Sequence, residues 1–104
     1  MAEIPQLQLH IVGPDMETAV SLQSGSMLIG RQEGADIQLN HPRVLGRHAR
    51  LDVSPRGVQV TELVGARVVL NGREMPTDVP SSLHAGDRLQ IGPYLLLLEA
   101  VQTE

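Results

Sequence analysis

The chain has no cysteine, no tryptophan, no phenylalanine and no lysine, and its 104 residues include a single tyrosine, Tyr94. Each absence excludes something. Without cysteine there is no disulfide framework, no thiolate nucleophile and no thiolate metal site. One aromatic residue cannot make a platform on which the bases of a single-stranded nucleic acid stack, so any core must be built from Leu, Val and Ile. The absence of lysine makes all 8 basic residues arginine. Composition bias explains that most simply, but planar, forked guanidiniums also suit phosphate recognition better than ammonium groups do. With 12 acidic residues the formal net charge is −4, which counts against nonspecific binding to nucleic acid. Long apolar runs are missing too. The longest, Tyr94 to Leu98, suits a buried strand and is far too short to cross a bilayer. Met1 to Pro5 carry no basic-plus-apolar leader, so a cytoplasmic location with no membrane insertion is expected.

What is present is short apolar alternation, broken often by Gly, Pro, Asp and Asn, the pattern of an all-β sandwich or barrel. Leu7, Leu9 and Ile11 alternate with Gln8 and His10 before a turn at Gly13-Pro14-Asp15. Val20 and Leu22, Met27 to Ile29, and Ile37 and Leu39 form further strand segments, as do Ala49, Leu51 and Val53. Ser54-Pro55-Arg56-Gly57 reads as a hairpin turn; Val58 and Val60 follow it, and then Val68 to Leu70. Asn71-Gly72 is the strongest two-residue hairpin signal in the chain. Val79 to Ser82 reads as a loop, and Gly92-Pro93 turns the chain into its last strand. No segment has sustained helical periodicity. The chain therefore reads as one domain over 1–104, with a core over about 7–99 and frayed ends at Met1 to Pro5 and Val101 to Glu104.

Two stretches carry a more specific signal. Leu28 to Leu51 reads LIGRQEGADIQLNHPRVLGRHARL, and Leu83 to Glu99 reads LHAGDRLQIGPYLLLLE. In order and spacing they resemble the forkhead-associated (FHA) domain, with the resemblance running from about Leu7 to Glu99. It implies a sandwich of two antiparallel sheets with 10–11 short strands, whose loops at one end bind phosphothreonine peptides.

The resemblance also assigns roles. Arg31, in the pair Gly30-Arg31, matches the arginine that donates to phosphate through charge-assisted hydrogen bonds. His48 matches a histidine that braces the loops, and Gly30, Asn71 and Gly72 match structural positions. Two positions depart from the pattern. Leu45 stands where the family has a phosphate-binding serine, and Ala66 where it has a peptide-gripping asparagine. Neither side chain can donate or accept a hydrogen bond. At about 0.5–1.5 kcal/mol for each lost contact, more where charge-assisted, phosphopeptide binding should weaken by roughly one to three decades. Arg43, Arg47 and Arg67 lie in or beside the same loops and could rebuild an anion site of different geometry.

The expected function is thus a non-enzymatic protein-interaction module that docks a protein partner, threonine-phosphorylated or not, through Arg31, Arg43, Leu45, Arg47, Ala66 and Arg67. The alternative is a phospho-independent structural or targeting domain of a larger assembly such as a secretion or cell-envelope machine. No nucleophile–base pair supports catalysis. His10, His41 and His84 are too scattered for a metal site, and no cofactor is expected.

Overall fold

The computed structural model describes residues 6–14 and 16–101. Asp15 of the first predicted turn and the ends expected to fray, 1–5 and 102–104, lie outside the described residues. Val101, expected to fray with them, instead ends a strand and pairs with Gln6.

Among the described residues, eleven strands form two sheets that face each other across an aliphatic core. Sheet A contains β1 (Gln6–Val12), β2 (Glu17–Ser21), β7 (Val69–Leu70), β8 (Arg73–Glu74), β10 (Arg88–Ile91) and β11 (Tyr94–Val101), in the order β2-β1-β11-β10-β7-β8. Sheet B contains β3 (Gly25–Gly30), β4 (Ile37–Gln38), β5 (Ala49–Ser54), β6 (Gly57–Glu62) and β9 (Ser81–Leu83), in the order β4-β3-β5-β6-β9. The core follows the period-2 rule. Leu9 and Ile11 of β1, Leu51 of β5, Val58 and Val60 of β6, Leu89 and Ile91 of β10, and Leu96 and Leu98 of β11 are all buried. Burying one such side chain is worth about 1.5–3 kcal/mol.

The Asn71-Gly72 turn forms as the dipeptide requires. Both residues have positive φ, 50° and 85°, and β7 and β8 pair across them, because only this turn's twist matches that of the flanking strands.

Three further expectations need correction. The sheets are not wholly antiparallel: β4 runs parallel to β3, with Ile29 opposite Ile37. The 31–36 loop doubles back so that β4 lies beside the last two residues of β3, Ile29 and Gly30. Ser81 and Ser82, read as loop, belong to β9, an edge strand held to β6 by Val58–Leu83 and Val60–Ser81 pairing. Serine has turn-like composition, but at a sheet edge its hydroxyl can face solvent. The leucine run of β11 is also not buried on both faces. Leu96 and Leu98 point into the core, while Leu95, 42% exposed, and half-buried Leu97 face outward.

Candidate functional site: the loop apex

Three loops meet at one end of the sandwich: 31–36, 39–48 and 63–68. Gly30 determines how closely the first two approach. A Cβ on Gly30 would lie 2.0 Å from the Gly46 carbonyl oxygen. With hydrogen in that place, Arg31 N–H donates to the Leu45 carbonyl (2.8 Å) and Gln32 N–H to the Gly46 carbonyl (3.2 Å). The two loops are thereby zipped together like a short ladder.

His48 ties the 39–48 and 63–68 loops to each other and to β3. It is 3% exposed. Its backbone N–H donates to Ile29 (2.9 Å), and its carbonyl accepts from Leu63 N–H (3.1 Å). Its ring accepts from Leu45 N–H at Nδ1 (3.1 Å), which leaves Nε2 to donate to the Arg67 carbonyl (2.8 Å). The partners thus define the tautomer. Both ring nitrogens are occupied by backbone, so this histidine has no free position from which to act as a base.

Glu62 holds the third loop from the other side, and its role was not expected from the sequence. This buried carboxylate accepts from Val68 N–H and from the Thr77 hydroxyl, each at 3.3 Å. The signal was present: position 62 continues the inward phase of Val58 and Val60. Residues 67 and 68 are therefore pinned on both sides.

Between these loops lies an open cleft of about 490 Å³. Arg43, Leu45, His48, Ala66 and Arg67 line it, joined by Gln90 on sheet A. Leu45 is 39% exposed, and its methyl group lies beside Gly65. Arg67 forms an exposed ion pair with Glu74 of β8. The predicted arginines are divided. Arg43 and Arg67 line the cleft, whereas Arg31 and Arg47 are exposed but outside its lining.

Asn71 and Gly72 lie away from this cleft, at the β7–β8 hairpin. There the Asn71 amide donates to Asp87 (3.0 Å), and its carbonyl oxygen accepts from Arg88 N–H (2.9 Å). Asp87 also accepts from His84 N–H (2.7 Å). The His84 backbone bond, followed by the Asn71 bond, holds the Asp87 carboxyl below its ordinary pKa. Among the described residues, no three His, Asp or Glu side chains gather to hold a metal ion.

Two facing sheets of short strands with a loop-built apex on braced backbone define the FHA fold, and solved structures agree. The FHA domain of an Arabidopsis thaliana hypothetical protein superposes with a TM-score of 0.83 at 23% identity, covering 96% of this chain and 89% of its own. An FHA domain from Chlamydia trachomatis gives 0.82 at 22% identity, covering 93% and 99%. The N-terminal FHA domain of S. cerevisiae Rad53p, in complex with a phosphothreonine peptide, gives 0.81 at 14% identity, covering 92% and 94%. More specifically, residues 10–102 match the family described as inner membrane component of T3SS, cytoplasmic domain, and the chain belongs to that family. No curated protein matches it.

Proposed function

We propose that this chain is a protein-interaction domain of a type III secretion-type inner-membrane assembly, placed on the cytoplasmic side, which docks a partner protein at its loop apex without requiring threonine phosphate. The observation that carries this reading is the pairing of Leu45 and Ala66 in one cleft. A phosphate seated between a leucine and an alanine side chain would give up hydration without gaining donors from either. An apolar partner side chain would gain from the same surface, because Leu45 is 39% exposed and available to be covered. The family description supports the setting. Catalysis lacks support at this site, since both ring nitrogens of His48 bond to backbone.

A second reading keeps phosphothreonine as ligand. It is favoured by Arg31, whose guanidinium has no carboxylate partner among the described residues, and by the phosphothreonine complex of a domain of the same fold. Titrating matched phosphorylated and unphosphorylated peptides, with partner capture before and after phosphatase treatment, separates the two. The primary reading expects capture to ignore phosphatase. It also expects the double variant Leu45→Ser/Ala66→Asn to gain at least about tenfold in phosphopeptide affinity, the equivalent of two restored hydrogen bonds. Wild-type binding that depends on phosphate and is lost in Arg31→Ala would establish the second reading instead.

A further inference from the structure

The apex cleft does not end at the loops. A second depression on the outer face of sheet A is lined by Asn71, Gly72, Gly86, Arg88 and Leu95, and it shares Val69 and Gln90 with the apex cleft. The two form one continuous groove along β7 and β10.

The register arranges its walls in rows. Val69 lies opposite Gln90, and Gln90 opposite Leu95. Continuing the same register puts Arg67 across from Gly92 at the apex end and Asn71 across from Arg88 at the far end, where Asn71 N–H donates to the Arg88 carbonyl (2.9 Å). Rows two residues apart on a strand are separated by about 6.8 Å. From apex to far end the groove therefore presents arginine, then a row in which Val69 and Leu95 flank Gln90, then arginine, over about 14 Å.

Among the described residues, no carboxylate lines either depression, although the chain as a whole is negative by 4 charges. Two acids lie near. Glu74, across from Val69 on β8, pairs with Arg67; that pair is exposed, so it exchanges at little cost. Asp87 is occupied by Asn71 and His84.

We propose that this groove binds an extended, unphosphorylated peptide with the pattern acid–x–apolar–x–acid. Alternate side chains of an extended peptide share one face and repeat at the spacing of the rows. One acid meets Arg67 and Arg43, the central apolar side chain lies on the Val69–Gln90–Leu95 row, against the stem of Gln90 and one of its apolar neighbours, and the second acid meets Arg88. The inference rests on the phospho-independent reading of the apex and names the chemistry of its partner.

The test uses a fluorescein-labelled Gly-Glu-Ser-Leu-Ser-Glu-Gly peptide, titrated by polarisation at low salt. Controls are the Glu→Gln peptide, a phosphothreonine peptide without acids, and phosphatidylglycerol vesicles. Binding of the acidic peptide should weaken by about tenfold in both Arg67→Glu and Arg88→Glu, since reversing the charge turns attraction into repulsion. Glu74→Gln should strengthen it about twofold by releasing Arg67, a gain that misfolding cannot produce. Loss in Arg67→Glu but not in Arg88→Glu would overturn the groove and leave the apex reading standing. Equal binding of the Glu→Gln peptide would overturn the groove as well. Binding of the phosphothreonine peptide alone would overturn both readings. Vesicle binding that depends on Arg88, with no peptide binding, would overturn the peptide proposal in favour of a lipid-facing surface.

Discussion

Replacing Gly30 by alanine isolates the contribution of a single close approach between loops. The new Cβ would lie 2.0 Å from the Gly46 oxygen, 2.7 Å from its carbonyl carbon and 3.1 Å from the Leu45 oxygen. A relaxed carbon–oxygen contact is about 3.3 Å or more, so the loops must part by more than about 1 Å. The bonds from Arg31 N–H and Gln32 N–H, now 2.8 and 3.2 Å, then exceed hydrogen-bonding distance. Two lost bonds cost about 1–3 kcal/mol net, and the displaced backbone adds to that. Gly30 is not among the glycines with positive φ, so alanine itself fits the local backbone and returns about 0.4–1 kcal/mol through a less flexible unfolded chain. Before the backbone displacement is counted, the balance is a destabilisation of up to about 2.6 kcal/mol. For a domain of this size that lowers Tm by as much as roughly 10–20 °C, measured by far-UV circular dichroism. Gly34→Ala is the control. It lies in the loop that follows Gly30, and its Cβ would meet only the Gln32 amide nitrogen at 3.9 Å, so its Tm should match or slightly exceed wild type. If Gly30→Ala melts with Gly34→Ala, the loop ladder does not hold the apex.

Other positions give independent checks. His48→Ala should cost about 2–4 kcal/mol, because it strands the Leu45 N–H and the Arg67 carbonyl; accelerated hydrogen exchange at the Leu45 amide would report the loss, and unchanged protection would refute it. The Thr61 hydroxyl is buried without a hydrogen-bond partner among the described residues, so Thr61→Val should be neutral or stabilise by up to about 1 kcal/mol; a clear loss in urea denaturation would show that the hydroxyl has a partner. The folded-state pKa of Asp87 is depressed. Its contribution is therefore complete above the unfolded carboxylate pKa, about 3.9, and is lost as pH falls through the lower folded value. Asp87→Asn should flatten part of the decline in Tm below about pH 4, and an unaltered slope would remove Asp87 from the acid response.

Much of this molecule was legible where the physics is local. Asn71-Gly72 specifies its turn by itself, because both central residues must take positive φ. Leu45 and Ala66, singled out as departures from the family pattern, both line the cleft. The arginines were harder to place, since which of them share a cleft depends on loop paths rather than spacing: Arg43 and Arg67 line it, and Arg31 and Arg47 do not. β9 was hidden because Ser81 and Ser82 resemble loop, and only its long-range partner β6 makes it a strand. The outward face of β11 was masked because Leu95 and Leu97 are leucines like their buried neighbours. Glu62 was readable in principle from the phase of Val58 and Val60, but an acid at an inward position gains its meaning only from the donors at Val68 and Thr77.

The pairing of β11 between β1 and β10 has a kinetic consequence during synthesis on the ribosome. Sheet B is complete once Leu83 has been made, because all its strands lie between Gly25 and Leu83. Sheet A is not: β1 waits for a partner that follows more than 80 residues later in the sequence. Until β11 emerges, Leu9 and Ile11 have no central strand to pack beside, and half of the sandwich stays open. Closing so distant a pair is slow relative to forming local hairpins. The nascent chain therefore passes through a stage in which one finished sheet displays its apolar face, the stage most exposed to aggregation.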